Sequence, residues 1–335
     1  MSGGAAGPAA IVVERESCSH FRCQETLRRV DAVLSRCVDH FNPKRLGPEW
    51  RNYCIYSDRY LPESAMSAEH VIPRSLGGSR ATVIRCSKAI NSRLGHEIDG
   101  KLANDTLIMF GRRDADARGN SGQKPKALLK RTTAWKSGEL MGNVQPRYNI
   151  EVPGGNQSAI VYDTRTGKYL PPTAFNDTGF VFTMNTDSEV RSKFLAKTLL
   201  GMGWKLFGES FLSTEPIGSL RWKIGTRDNP GTSLYYLDQF TIGENSPVEN
   251  AFQRLQDQVT RPNRTTALVR HTEFGLEWSM SCVGHFVGSL IYPTRRWLLP
   301  TGVAMNGGLL VTVARDRLLF ESVEPFSAPW AGAGG

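Results

Sequence analysis

The sequence predicts an α+β fold for this chain, and three observations support that class. Apolar residues at spacings of four and three across residues 21–41 mark one face of an amphipathic helix. Short apolar runs at residues 52–56 and 67–72 predict strands, and a helical pattern begins near Ser87. Residues 268–325 are rich in strand patterns. Because these patterns do not alternate regularly, we expect a mixed chain with a mostly β C-terminal domain.

The N-terminal segment is predicted to be a disordered tail of small residues, 1–10, followed by the amphipathic helix. Four potential metal ligands lie in or near that helix: Cys18, Cys23, Cys37 and His40. Cys23 and Cys37 fall on its apolar stripe, where cysteine behaves as a small buried hydrophobe. We therefore favour a core role for these cysteines over a zinc site.

The C-terminal half shows structural patterns but no chemical motif. Residues 148–169 predict a hairpin whose turn is at 164–167. Thr186 and Glu189 have the spacing of a capping box, which predicts a helix from about residue 187 to 207. A strand with one apolar face is predicted from four alternating residues: Leu276, Trp278, Met280 and Cys282.

Length and composition narrow the class of protein. A chain of 335 residues favours two domains, and 40% hydrophobic with 22% charged residues is typical of globular proteins. No long uncharged apolar run predicts a membrane span. The start has no basic segment before its apolar stretch and reaches Glu14 too early for a signal peptide. Because the six cysteines are scattered, we expect a cytoplasmic protein without a disulfide scaffold.

The positive charge is concentrated in the first half of the chain. Residues 1–150 contain 24 Lys and Arg against 15 Asp and Glu, and thus carry the whole net charge of +9. Between residues 112 and 136, eight Lys and Arg stand against two Asp, with several Gly and Pro. This stretch predicts a flexible basic connector, and the asymmetry favours a polyanionic partner such as DNA.

The strongest chemical signal lies in residues 67–99. Residues 69–78 read Glu-His-Val-Ile-Pro-Arg-Ser-Leu-Gly-Gly, and residues 91–99 read Asn-Ser-Arg-Leu-Gly-His-Glu-Ile-Asp. A histidine can act as a general base near neutral pH, and Glu69 and Asn91 offer the hard oxygen ligands that Mg²⁺ and Mn²⁺ prefer. Hydrolysis of a phosphodiester uses such a base together with a hard cation.

This pattern resembles the HNH endonuclease superfamily, whose core is a ββα-metal module. The closest branch reads Glu-His-x-Ile-Pro-x-x-Leu-Gly-Gly and then Asn-x-x-Leu-Gly-x-x-Ile-Asp, and the resemblance covers about residues 52–110. It implies that His70 is the general base, and that Glu69 and Asn91 are ligands of Mg²⁺ or Mn²⁺.

The positions of the neighbouring side chains raise two geometric questions. On a regular helix, His96 is rotated about 140° from Asn91, and Asp99 lies about 12 Å further along the axis. Neither then reaches the same ion, so we assign both a supporting role at most. On a regular strand, Glu69 and His70 point to opposite faces, so we expect the strand to distort if they share a site.

Members of this branch usually bind a structural zinc through two Cys-x-x-Cys pairs. Here the first pair reads Cys54-Ile-Tyr-Ser, and Cys86 is one position out of register for the second pair. Two thiolates are fewer than the four ligands of a structural zinc. We therefore expect that this zinc has been lost.

Basic residues beside the motif are candidates for binding the phosphates of DNA without reading its sequence. The candidates are Arg74, Arg80, Arg85, Lys88, Arg93, Lys124, Lys126, Lys130 and Arg131.

The sequence thus predicts four segments: a tail and helix at 1–47, a nuclease module at 48–111, a basic connector at 112–140 and a β-rich accessory domain at 141–335. The predicted function is metal-dependent cleavage of DNA, with RNA left open. Restriction, anti-phage defence and mobile-element functions are all compatible with it. One alternative is a nucleic-acid-binding protein with an inactive nuclease module. Another is a sensor-effector whose C-terminal domain gates the nuclease, through a regulatory partner or as a homodimer.

Overall fold

The computed structural model describes residues 47–136, 146–154, 158–171, 178–182, 184, 186–231, 233–242, 249–296, 298–299 and 307–323. The predicted helix over 21–41 and its four potential metal ligands lie outside these residues. Within the described ranges, no helix is both long enough and apolar enough to cross a membrane.

Helices and strands both contribute substantially, which confirms the mixed α+β class. The α-helices of the described residues are α1 Lys88–Leu94, α2 Gly100–Leu102, α3 Thr106–Asp114, α4 Ser188–Phe207, α5 Glu209–Leu212, α6 Ile217–Lys223 and α7 Glu249–Val259. The strands are β1 Tyr53–Cys54, β2 Arg59–Tyr60, β3 Met66–His70, β4 Val83–Ser87, β5 Lys126–Lys136, β6 Tyr148–Pro153, β7 Ile160–Asp163, β8 Lys168–Leu170, β9 Thr178–Val181, β10 Tyr235–Leu237, β11 Thr266–Thr272, β12 Gly275–Cys282, β13 His285–Tyr292, β14 Gly308–Val313 and β15 Leu318–Val323.

The chain over β3, β4 and α1 forms a ββα unit. The two strands pair antiparallel in regular register, from Met66 opposite Ser87 to His70 opposite Val83. The Ser87 side chain caps α1 by accepting a hydrogen bond from the Ile90 N–H, so the helix begins where the sequence predicts it. A single π-helical turn, Gly95–Asp99, follows α1 directly.

An antiparallel sheet of six strands, in the order β10-β13-β12-β11-β14-β15, dominates the C-terminal part. Every residue of β12 is buried. The four apolar residues predicted to share a face of this strand all lie in the main hydrophobic core. On the other side of the sheet, Phe252, Leu255 and Val259 of α7 pack against Leu268 and other sheet residues.

A second antiparallel sheet has the order β8-β7-β6-β5-β9. The predicted turn at 164–167 joins β7 to β8, but residues 148–169 form three strands and not a single hairpin. Its strand β5 occupies eleven residues of the predicted flexible connector. The prediction of a flexible linker is therefore wrong for residues 126–136, because a strand with Ala127 and Leu129 buried fixes them in the sheet.

The long helix α4 occupies the predicted range 187–207, and fifteen of its twenty residues are buried. Its cap differs from the prediction: Asp187, and not Thr186, accepts the hydrogen bond from the Val190 N–H at 3.0 Å. Asp187 directly precedes the first helical residue, which is the position from which a side chain reaches that N–H group.

One hydrophobic core joins the N-terminal and C-terminal parts. It includes Ile55, Ile72 and Leu94 from the segment with the motif, Phe194 from α4, and Trp278 from the six-stranded sheet. The ββα unit therefore rests on the C-terminal part of the chain.

Candidate functional site

Glu69 and His70 lie at the end of β3 and line one cavity of about 310 Å³. Glu69 is only 5% exposed, whereas His70 is half-buried. The pairing of β3 with β4 is regular through both residues, so the expected distortion of the strand is not present. Both side chains reach the cavity because it opens at the point where the strand ends.

The Leu-Gly-Gly part of the motif closes a tight turn below the cavity. Gly77 has φ +80°, and a Cβ atom on Gly78 would lie 1.6 Å from the carbonyl oxygen of Ile72. Only glycine fits these two positions without a change of backbone. The turn is anchored to the C-terminal part, because the Thr265 hydroxyl donates to the carbonyl oxygen of Leu76 at 2.7 Å.

Asn91 ties helix α1 to strand β3. Its side-chain nitrogen donates to the Ala68 carbonyl oxygen at 3.1 Å and to the Ser67 hydroxyl at 3.2 Å. These bonds use the amide N–H groups and leave Oδ1 as the atom that can accept a cation. Asn91 lines the same cavity as Glu69 and His70.

Asp99 also lines this cavity, contrary to the expectation from a regular helix. The π-helical turn Gly95–Asp99 changes the spacing on which that expectation rests, since a π turn has more residues than an α turn. Asp99 is 9% exposed, and its carboxylate points inward. His96 is exposed and does not line the cavity, so the structure does not bring it to the site.

Lys197 of α4 pairs with both carboxylates and is missing from the sequence-based site. Its ammonium nitrogen lies 2.7 Å from Glu69 Oε1 and 2.6 Å from Asp99 Oδ2, and the residue is 0% exposed. The sequence does contain a signal for it. Lys197 is the only charged residue in the mostly apolar run 194–204 of α4, and a charge there requires a buried partner.

A glycine lets α4 approach closely enough for this contact. One turn after Lys197, a Cβ atom on Gly201 would lie 2.6 Å from Val71 Cγ1 and 2.9 Å from the Tyr56 hydroxyl. Real Cβ atoms do not come so close, so glycine at this position sets the distance between α4 and the loop after β3.

The charges of Lys197, Glu69 and Asp99 do not balance. Burial alone would lower the pKa of Lys197, but the negative charges of Asp99 and Glu69 outweigh it and raise that pKa. Burial raises the pKa of Glu69 and of Asp99, with Lys197 acting in the opposite direction. One ammonium thus faces two carboxylates, and with both carboxylates ionised a net charge of −1 borders the cavity.

His70 is in an environment that favours the neutral imidazole. Its pKa is lowered first by partial burial and then by the positive charges of Arg74 and Lys197. A neutral histidine near pH 7 has a free ring nitrogen that can accept a proton. This is the property that a general base requires.

The two remaining cysteines of the motif region are buried thiols. Cys54 Sγ accepts a hydrogen bond from the Ser87 N–H at 3.3 Å, and burial raises the pKa of Cys86. Both lie in the hydrophobic core, and the raised pKa of Cys86 keeps that thiol protonated near neutral pH. The zinc content of the whole protein stays a prediction, because Cys18, Cys23, Cys37 and His40 lie outside the described residues.

Of the basic residues beside the motif, only Arg74 lines the cavity. Arg80 is exposed, whereas Arg85 pairs with Glu63 at 2.7 Å. Lys88 donates to the Ser64 carbonyl oxygen at 2.7 Å and Arg93 to that of Ile224 at 3.4 Å. Arg74 is therefore the one best placed to meet a phosphate in the cavity.

The basic candidates further along the chain form a separate exposed group. These residues are Lys124, Lys126, Lys130 and Arg131. Lys126 pairs with Glu151 at 2.8 Å on the neighbouring strand β6. Sequence reasoning missed that Gly119 and Asn120, just before this group, line the cavity beside His70. The predicted connector thus contributes to the wall of the site.

No family model, no curated protein and no solved structure matches this chain.

The donor atoms of the cavity fit a hard divalent cation such as Mg²⁺ or Mn²⁺. Asp99 Oδ1 is buried and has no hydrogen-bond donor among the described residues. With Glu69 and the amide oxygen of Asn91, it forms a set of oxygen atoms of the kind these ions bind. Among the described residues, no three His, Cys, Asp or Glu side chains form a complete metal site. Water and phosphate would therefore complete the coordination.

Proposed function

We propose that this protein is a metal-dependent endonuclease of the HNH type that hydrolyses phosphodiester bonds in DNA. The observation that carries the proposal is one cavity at the end of a ββα unit. It brings together a neutral histidine, His70, and the oxygen donors Glu69, Asn91 and Asp99. The sequence motif predicted His70, Glu69 and Asn91 as site residues. Asp99 is added because it lines the same cavity.

The side chains of the cavity have distinct roles in this proposal. His70 removes a proton from the attacking water, and Arg74 binds the phosphate at the rim. Glu69, Asn91 and Asp99 would hold Mg²⁺ or Mn²⁺, which supplies positive charge to the phosphate and the leaving oxygen. The exposed basic residues from Lys124 to Arg131 add affinity for the DNA backbone without sequence preference.

Nicking of supercoiled plasmid by the purified protein tests this proposal. We expect cleavage with Mg²⁺ or Mn²⁺ and none with EDTA. His70→Ala should lower the rate by about 10²–10⁴-fold, because it removes the base. His96→Ala is the matched control, since His96 is exposed and outside the cavity, and it should cleave like the wild type. A His70→Ala protein that cleaves at the wild-type rate would exclude this site.

One observation favours a second candidate, a nucleic-acid-binding protein with an inactive nuclease module. The ammonium of Lys197 already lies between the two carboxylates that would hold a metal. In that case, the purified protein binds duplex DNA in a gel-shift assay but leaves the plasmid intact with every divalent cation tested. RNA substrates in the same assays distinguish the two nucleic acids.

A further inference from the structure

We infer that Lys197 is the built-in cation of this site and lowers the affinity of Glu69 and Asp99 for a divalent cation. The inference rests on the proposed function only in treating the cavity as a metal site. It does not depend on whether the protein cleaves DNA.

Lys197 contacts both carboxylates directly. Lys197 Nζ lies 2.6–2.7 Å from an oxygen of each carboxylate, so one ammonium already bridges both side chains. The bridge holds Glu69 and Asp99 together without a metal. Asp99 lines the cavity, and its oxygen Oδ1 has no hydrogen-bond donor among the described residues.

Lys197 also reduces the negative charge that the two carboxylates present to an ion. With both carboxylates ionised, the pair alone would present −2 to an incoming ion, whereas the cluster with Lys197 presents −1. The attraction between charges at a few ångströms is strong where water is largely excluded, so removing one positive charge changes cation affinity substantially. A phosphate of DNA would restore the missing negative charge, so metal and substrate would bind together.

The packing of α4 holds this lysine against the two carboxylates. The helix that carries Lys197 approaches the loop after β3 at Gly201, where no side chain fits. The same helix is fixed six residues before Lys197 by Arg191, which pairs with Asp105. A fully buried lysine without partners would be costly, so its position and the carboxylates depend on each other.

Mn²⁺ binding to the full-length protein, free of nucleic acid, tests the inference. Free Mn²⁺ is measured by electron paramagnetic resonance during a titration. Lys197→Met keeps a long apolar side chain and removes the charge, and we expect it to bind Mn²⁺ at least about tenfold more tightly than the wild type. The matched control is Lys193→Met one turn earlier on α4, where Lys193 pairs at the surface with Glu189. It should bind Mn²⁺ like the wild type.

A second pair of variants avoids leaving two buried carboxylates without a cation. Asp99→Asn changes the net charge of the cluster from −1 to zero and should weaken Mn²⁺ binding at least about tenfold. Adding Lys197→Met to Asp99→Asn restores a charge of −1 and should recover that affinity. If Lys197→Met binds Mn²⁺ no more tightly than the wild type, or the double variant no more tightly than Asp99→Asn, the inference is wrong.

These outcomes separate the inference from the proposed function. Tighter Mn²⁺ binding without Lys197, in a protein that never nicks DNA, would support the built-in cation and exclude the nuclease. Cleavage that depends on His70, with Mn²⁺ affinity unchanged by Lys197→Met, would support the nuclease and exclude the built-in cation.

Discussion

Helix α4 carries two buried cations, Arg191 and Lys197, and their surroundings differ in one instructive respect. Both are 0% exposed, and both pair with carboxylates from the N-terminal part of the chain. Arg191 meets a single carboxylate, Asp105, through two hydrogen bonds of 2.9 and 3.0 Å. Its remaining donors reach the carbonyl oxygens of Phe286 and Val287.

Both carboxylate oxygens of Asp105 accept a hydrogen bond from Arg191, whereas the Lys197 cluster leaves the oxygen Asp99 Oδ1 without a donor among the described residues. Asp105 also caps α3 by accepting from the Leu107 and Ile108 N–H groups. Lys197 instead faces two carboxylates whose residues line a cavity, and Asp99 Oδ1 has no donor in the described part of the chain. A saturated pair contributes to the fold, and an unsaturated cluster at an opening retains the capacity to bind a ligand.

The largest expected effect is on stability, from Arg191→Met. This substitution leaves the Asp105 carboxylate buried and unpaired, which should lower the free energy of unfolding by about 3 to 5 kcal/mol. Denaturant unfolding measures this loss of stability, and the same experiment with Mn²⁺ shows whether the ion restores the lost stability. We expect no compensation here. If Mn²⁺ restored the stability of the Arg191→Met protein, the proposed difference between the two clusters would be wrong.

A smaller effect is expected from Gly201→Ala, which presses α4 away from Val71 and Tyr56. Overpacking of this kind should lower the free energy of unfolding by about 1 to 3 kcal/mol and weaken the contacts of Lys197. Gly95→Ala is the matched control, because a Cβ atom there meets nothing within 4 Å. Its stability should be unchanged or slightly raised. Equal stability of the Gly201→Ala and Gly95→Ala proteins would mean that the close approach of α4 is unimportant.

The smallest effect on the site is expected from the exposed basic group. We replace Lys124, Lys126, Lys130 and Arg131 together by Gln. Binding should weaken for all DNA sequences alike, and each lost phosphate contact should lower the log–log salt slope by about 0.9. The cleavage rate at saturating DNA should change little, in contrast to changes at the cavity.

The control for that variant is the pair Arg315→Gln and Arg317→Gln, which are exposed at the turn between β14 and β15. It should leave the salt slope unchanged. If the quadruple variant keeps the wild-type slope, its side chains do not contact DNA. If it instead loses cleavage at saturation, the segment from Gly119 onward contributes to the chemistry.

The sequence predicted those parts of the molecule that depend on local pattern. The strand β3, the start of α1 at Ser87 and the turn at 164–167 follow from short-range signals, whereas β4 was not predicted by its own pattern. The mostly basic composition of residues 112–136 concealed a strand, although Ala127 and Leu129 alternate there with exposed lysines. The composition of a segment is therefore a weaker guide than its alternation.

The incomplete part of the predicted site depends on contacts that no local pattern contains. Asp99 reaches the cavity through a π-helical turn, whereas the prediction used the regular spacing of 3.6 residues. Lys197 pairs with Asp99 across 98 residues of sequence, so only the fold brings them together. The one signal within either segment is that Lys197 is the only charge in the mostly apolar run 194–204.

The most direct test of the central claim is the position of Mn²⁺ in crystals of the full-length protein, located by its anomalous X-ray scattering. We expect a peak in the cavity beside Glu69, Asn91 and Asp99, within reach of His70. An empty cavity at saturating Mn²⁺, or binding only at another place, would contradict it.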